Sequence, residues 1–187
     1  KQEILNLYES IRKQVSAVFE AATLRPKLKT SSDVMSSITR VSKKKKNPPP
    51  ISIKNRKDIF KKEFKRLNIP QHMAKLINYA LVDILKIYKN TLVFGEDVAQ
   101  KGGVYNVTTD LFNIYGPRRV FNSPLDETSI IGFGIGFAHN GFIPILEIQF
   151  LAYLHNAEDQ LRGEAATLAF FSDGQFTNPM ILRVLDN

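Results

Sequence analysis

Between Arg119 and Gly141 the sequence R-V-F-N-S-P-L-D-E-T-S-I-I-G-F-G-I-G-F-A-H-N-G leaves little choice of local structure. The extended apolar run Arg119–Phe121 ends at Asn122-Ser123-Pro124, and proline lacks the N–H that further sheet pairing would need. Glu127 then stands directly before a segment of glycine, alanine and large apolar residues. These signals predict a strand, a tight turn, and a buried helix packed closely against its neighbour. A carboxylate at that place costs free energy unless a partner meets it. One candidate partner is the set of free backbone N–H groups at the helix start. The other is a functional ligand.

The glycines of this stretch exclude one ligand class. Gly132, Gly134 and Gly136 recur at every second position, whereas a dinucleotide fingerprint places its third glycine one residue further on, where Phe137 stands. They read as helix-packing positions, not as a phosphate cradle.

The flanking segments alternate in the same way. Met73, Leu76, Ile77, Ala80, Leu81, Ile84, Leu85 and Tyr88 form a helical stripe over about 71–89, and Thr91–Phe94 reads as a buried strand. Gly95-Glu96-Asp97 leaves that strand at its carboxyl end, the usual edge for ligands in α/β sheets. A short helix is expected at Thr109–Tyr115, a strand at Ile143–Phe150, a helix at Tyr153–Phe171 and a last strand at Pro179–Val184. Strand and helix alternate, so the fold class is α/β, a mostly parallel sheet flanked by helices.

Ahead of this unit the composition changes. Residues 40–66 hold twelve of the 26 Lys and Arg against Asp58 and Glu63, a net of +10 that leaves the rest of the chain at −2. Lys43–Lys46 followed by Asn47-Pro48-Pro49-Pro50 predicts a solvated linker, with Ser42–Lys57 unpacked. A lysine run also suits a phosphate polymer, but no aromatic residue is interleaved here for base stacking. Ile59, Phe60, Phe64 and Leu67 suggest a short basic amphipathic helix on a protein or membrane surface. Near the start, Ile4, Tyr8, Ile11, Val15, Val18 and Ala22 lie at four- and three-residue steps, one stripe of a helix that ends near Pro26. That stripe suits a docking or coiled-coil helix. The expected organisation is therefore 1–29 helical, 30–67 linker and 68–187 the α/β domain.

Several classes drop out. There is no cysteine, hence no disulfide framework or thiol chemistry. No run approaches the roughly 18 to 20 apolar residues of a membrane span. Lys1-Gln2-Glu3 is not a secretion signal, and a start without methionine suggests a piece of a longer chain. No His and acid cluster has metal-ligand spacing, and the two histidines that would suit acid–base work at neutral pH are set aside, His139 lying within the tight helix segment and His155 on an outer helix face.

Six motifs in fixed order narrow the function. They are G-E-D-V-A-Q-x-G-G-V-Y (Gly95–Tyr105), Y-G-P-R-R-V (Tyr115–Val120), S-P-L-D-E-T (Ser123–Thr128), E-I-Q-F-L-A-Y (Glu147–Tyr153), E-D-Q (Glu158–Gln160) and S-D-G-Q-F (Ser172–Phe176). Together, over about Asn68–Val184, they resemble the beta subunit of the thiamine-diphosphate-dependent 2-oxoacid dehydrogenases, the decarboxylating first component of the pyruvate and branched-chain complexes. I-R-K-Q-V-S-A-V-F-E-A-A-T-L-R-P (Ile11–Pro26) with Asp33-Val34-Met35 resembles the tail of that family's alpha subunit, which suggests a fused alpha-beta chain.

The resemblance implies the thiamine-diphosphate-binding fold in its pyrimidine domain. It implies thiamine diphosphate as cofactor, with Mg²⁺ held by ligands outside this segment. In that family a carboxylate hydrogen-bonded to the pyrimidine nitrogen N1′ drives the cofactor to activate itself, and S-P-L-D-E-T assigns the role to Glu127. Leu125, Gln149 and Tyr153 would line the pyrimidine pocket, Tyr153 otherwise being an ordinary buried-edge aromatic. Glu96 and Asp159 match part of an acidic proton passage, and otherwise are surface or capping carboxylates. The implied partners are an alpha-type chain, a second beta-type copy and the dihydrolipoyl acyltransferase core, with neither nucleic acid nor membrane among them. The implied location is the bacterial cytoplasm or the mitochondrial matrix. A transketolase-type enzyme shares the pyrimidine domain and its glutamate, and a binding or scaffold fragment with a basic linker is a third reading.

Overall fold

A computed structural model describes residues 1–38 and 49–185. The chain divides into two units, Lys1–Ser42 and Lys43–Asn187. In the first, α1 (Gln2–Thr23) carries the expected apolar stripe, and none of its residues is buried. A second helix, α2 (Ser31–Ile38), forms inside the stretch expected to be linker. Its cause is local: the Thr30 hydroxyl accepts from the Asp33 N–H at 3.1 Å, while the Asp33 carboxylate accepts from the Thr30 N–H at 3.0 Å. That reciprocal capping box satisfies donors that a Ser/Thr/Lys-rich composition hides.

The second unit begins with α3 (Ile53–Phe60), capped by the Ser52 hydroxyl on the Asn55 N–H, and a 3₁₀ stretch Lys61–Asn68. The expected linker through residue 67 is therefore replaced by packed helix from Ile53 onward, and its Lys43–Lys46 run lies outside the described residues. Apolar side chains outweigh the local charge. Phe60 is buried edge-on to Tyr79 at 5.3 Å, with Ile59, Phe64 and Leu67 packed beside it. Arg56 is drawn off the basic face by Asp83 at 2.6 Å.

The elements that follow are α4 (Met73–Ile87), β1 (Thr91–Gly95), α5 (Leu111–Tyr115), β2 (Val120–Asn122), α6 (Glu127–His139), β3 (Ile143–Ile148), α7 (Leu151–Leu154), α8 (Leu168–Phe171) and β4 (Ile181–Val184). All four strands pair in parallel, in the order β2-β1-β3-β4. The α/β class is as expected, and both sheet faces are covered, as a parallel sheet requires. On one face Val93, Val120 and Ile145 pack with Leu81, Val82 and Leu85 of α4. On the other, Leu92, Phe94, Leu146 and Ile148 pack with Ile130 and Ile131 of α6.

Alternate residues of β1 therefore enter two different cores. Gly134 fits the packing role read from the sequence, because a Cβ there would lie 2.5 Å from a Leu146 methyl. Gly132 and Gly136 do not, since a Cβ at either meets nothing within 4 Å.

The single helix expected at Tyr153–Phe171 is instead broken. After α7 come a 3₁₀ turn His155–Ala157, a π-helical turn Gln160–Ala165 and α8. The Ala166 N–H reaches back five residues to Leu161, and the Asn178 amide takes the Ala165 carbonyl at 2.6 Å. A side chain from outside thus satisfies backbone that a regular helix would have paired internally.

The strand order sets the position of any site. From β1 the chain crosses to β2 on one side and, after α6, returns to the other side of β1 as β3. That reversal opens a crevice beyond the carboxyl ends of the strands.

Candidate functional site

The crevice holds a cleft of about 430 Å³ lined by Glu96, Leu125, Glu127, Gln149, Tyr153 and Asn156. Glu96 follows β1, Leu125 and Glu127 follow β2, and Gln149 and Tyr153 follow β3. Residues up to 60 positions apart in sequence thus share one small volume, because three parallel strands end at the same edge.

The start of α6 explains how Glu127 is left free for the cleft. Asp126, not Glu127, caps the helix, its carboxylate accepting from the Ser129 N–H at 3.1 Å. The helix-start role that the sequence offered to Glu127 is filled by its neighbour. Glu127 instead accepts at Oε2 from the Asn156 side-chain amide at 3.3 Å. Asn156 is the lining residue that sequence reasoning missed. It falls in the gap between the motifs ending at Tyr153 and beginning at Glu158, and the 3₁₀ turn His155–Ala157, seated by the fully buried Ala157, brings it to α6.

Glu96 is held at the turn after β1, where Asp97 adopts φ +57° and binds Lys101 at 2.8 Å. Burial pushes the Glu96 carboxyl above the ordinary range, the negative charges of Asp97 and Glu127 add to the rise, and Lys101 opposes it. Gly95 permits this turn: a Cβ there would lie 2.5 Å from the Glu147 carbonyl oxygen. The apolar wall is open, with Leu125 72% and Tyr153 45% exposed, and the Phe150 ring supports Tyr153 edge-on at 5.8 Å.

Opposite Gly95, on β3, lies an acid that the sequence reading passed over. Glu147 is 2% exposed, paired with both Nε and Nη2 of Arg183 on β4, and its Oε1 accepts from the Val104 N–H at 3.1 Å. Burial raises its carboxyl, while Arg183 and the Val104 N–H pull it back down. The β3–β4 register places Glu147 opposite Arg183, which no single segment foretells. Asp159 does not join the cleft lining. It is exposed and precedes the π-helical turn. His139 contacts Asn178 at 3.1 Å, away from the cleft.

Residues 70–170, more than half of the chain, match the family described as the transketolase pyrimidine binding domain. The chain belongs to that family. Among its relatives, the pyruvate dehydrogenase E1 component subunit beta of Bacillus subtilis (strain 168) is 40% identical over 111 residues. Those of Staphylococcus epidermidis (strain ATCC 12228 / FDA PCI 1200) and Staphylococcus aureus (strain N315) are 42% and 41% identical over 111 residues. Each match covers 59% of this chain and 34% of the relative, so the chain spans about a third of the length of the curated relatives it matches. The resemblance carried by the six motifs is to the same kind of subunit.

This pyrimidine-binding domain fits the ring that its family takes from thiamine diphosphate. Two carboxylates, Glu96 and Glu127, two amides, Gln149 and Asn156, and an apolar pair, Leu125 and Tyr153, suit a flat heterocycle with nitrogen and amino groups on its rim. Among the described residues no three His, Asp or Glu are grouped to hold a metal ion. No helix among them is long and apolar enough to cross a membrane.

Proposed function

We propose that this pyrimidine-binding domain serves the decarboxylating first component of a 2-oxoacid dehydrogenase, which passes the acyl group of a 2-oxoacid to a lipoyl arm. The observation that carries the reading is the meeting of Glu127 with Leu125, Gln149 and Tyr153 in one cleft at the carboxyl edge of the sheet. Thiamine diphosphate held there by Leu125, Glu127, Gln149 and Tyr153 would supply the nucleophilic carbon for decarboxylation.

The chain's own part is to bind and polarise the pyrimidine. Leu125 and Tyr153 cover apolar ring surface, and the Gln149 amide offers a donor and an acceptor to the rim. Glu127 holds or yields a proton at N1′, using the oxygen that Asn156 leaves free. Glu96 and Asp159 would belong to a proton passage, Glu96 through its place opposite Glu127 and Asp159 only through its motif.

The diphosphate and its Mg²⁺ would be held by an alpha-type chain closing over the cleft. The resemblance of the α1 sequence to an alpha-subunit tail favours one fused alpha-beta chain. A second beta-type copy and an acyltransferase core complete the proposed assembly, in the cytoplasm of a bacterium or the matrix of a mitochondrion. The similarity to pyruvate dehydrogenase E1 beta subunits favours this reading over a transketolase-type sugar transfer.

The test is Glu127→Gln in the complete enzyme. Glutamine keeps the shape and can still hydrogen-bond N1′, but it cannot exchange the proton. Turnover should fall by more than about 100-fold while the cofactor remains bound, the scale of general acid–base contributions. Near-normal decarboxylation with cofactor bound would remove Glu127 from the mechanism.

A further inference from the structure

We infer that Asn156 is a positioning residue for Glu127, gripping the first turn of α6 at two points so that one carboxylate oxygen is fixed and the other faces the pyrimidine. The inference rests on the proposed thiamine diphosphate reading and adds to it a residue that none of the motifs contains. Two hydrogen bonds in opposite directions make the grip. The Asn156 amide donates to Glu127 Oε2 at 3.3 Å, and the Asn156 carbonyl accepts from the Thr128 hydroxyl at 2.9 Å. The turn that presents Asn156 is itself anchored, because Ala157 beside it is fully buried in the core cluster under α6 and Leu154 packs against the same cluster.

The choice of an amide has a chemical consequence. An N–H donor stabilises a carboxylate, and a hydrogen bond to an ionised acceptor is stronger than one between neutral groups. Glu127 faces a second acid across the cleft, Glu96, whose carboxyl is raised by burial and, in part, by the Glu127 charge. Asn156 gives Glu127 a hydrogen-bond donor that adds no charge to the cleft. It also occupies Oε2, so that the carboxylate presents one oxygen to N1′ instead of rotating between two roles. Side-chain orientation is thereby settled before the cofactor arrives, which lowers the ordering cost of binding.

The test compares two ligands on the full-length protein assembled with its alpha-type partner. One is thiamine diphosphate with Mg²⁺, and the other is the analogue carrying C–H in place of N1′. Calorimetric titration should show that Asn156→Ala weakens thiamine diphosphate about three- to tenfold, the scale of one hydrogen bond. The analogue, which cannot engage Glu127 through N1′, should change by less than about twofold, within the scatter of additive sites. Asn156→Asp keeps the shape and the backbone contact with Thr128 but replaces the donor by a like charge. It should weaken thiamine diphosphate more than the alanine variant does, again sparing the analogue. In a Glu127→Gln background, Asn156→Ala should add little. Equal losses for both ligands would reduce Asn156 to a general structural role and overturn the inference, as would no loss for either. If the unmodified protein and its Glu127→Gln variant bind the two ligands alike, the assignment of Glu127 falls, and Asn156 falls with it.

Discussion

At the scale of single residues, the cleft is governed by which acids are capped, paired or left facing one another. Asp126, Glu127, Glu96 and Glu147 all lie near the same edge, yet each has a different partner: a helix N-terminus, an amide, like charges, and an arginine. Glu96 gives a pH signature. Its carboxyl is raised by burial and by the charges of Asp97 and Glu127, so the folded state holds that proton more tightly than the unfolded chain. The stabilising contribution is complete below the ordinary glutamate value of about 4.3 and is lost as pH rises through the raised folded value. Urea unfolding should therefore show Glu96→Gln to be more stable than the parent at neutral pH, with the advantage vanishing near pH ~4. An advantage that persisted undiminished into acid would mean that Glu96 is not destabilised by its charge.

At the scale of elements, α6 divides its glycines between two jobs. Gly134 faces the fully buried Leu146, where an added methyl would lie 2.5 Å from Cδ1, while Gly132 and Gly136 face open space. Gly134→Ala should cost about 1–3 kcal/mol, as overpacking of a tight contact does. Gly132→Ala and Gly136→Ala in the isolated chain should stabilise by about 0.5–1 kcal/mol, because alanine gives up less backbone entropy in a helix. Thermal unfolding of the three variants should separate them by sign, and a common sign would show that the outward glycines are packed as well. The stretch Leu151–Phe171 shows the other side of element-scale reasoning. Its alanines and leucines fit a helix by composition, but Asn178 claims the Ala165 carbonyl and the path becomes α, 3₁₀, π and α in turn. That irregular path is what delivers Asn156 to Glu127.

At the scale of the whole molecule, the proposed reading gives the cleft the aminopyrimidine half of the cofactor and an alpha-type chain the diphosphate half. Charge-assisted contacts to phosphate and metal should supply much of the binding free energy of thiamine diphosphate. The 187-residue chain alone should accordingly bind it weakly and decarboxylate no 2-oxoacid, and addition of an alpha-type partner should restore both. Tight, Mg²⁺-dependent binding in calorimetry of the isolated chain would reveal a diphosphate site within it.

By itself the sequence determined the parallel α/β class and the strand positions to within a few residues, and through its motifs' resemblance it implied the group Glu96, Leu125, Glu127, Gln149 and Tyr153 that meets in the cleft. Periodicity, proline and ordered motifs are properties of neighbouring residues, so they survive in one dimension. Tertiary structure alone decided that Ile53–Asn68 packs instead of trailing as linker, that Glu147 finds Arg183, that Asp159 stands outside the cleft lining, and that Asn156 reaches Glu127. Each of those depends on partners brought together by strand register or by burial of distant apolar side chains, and local sequence carries no record of the distance between them.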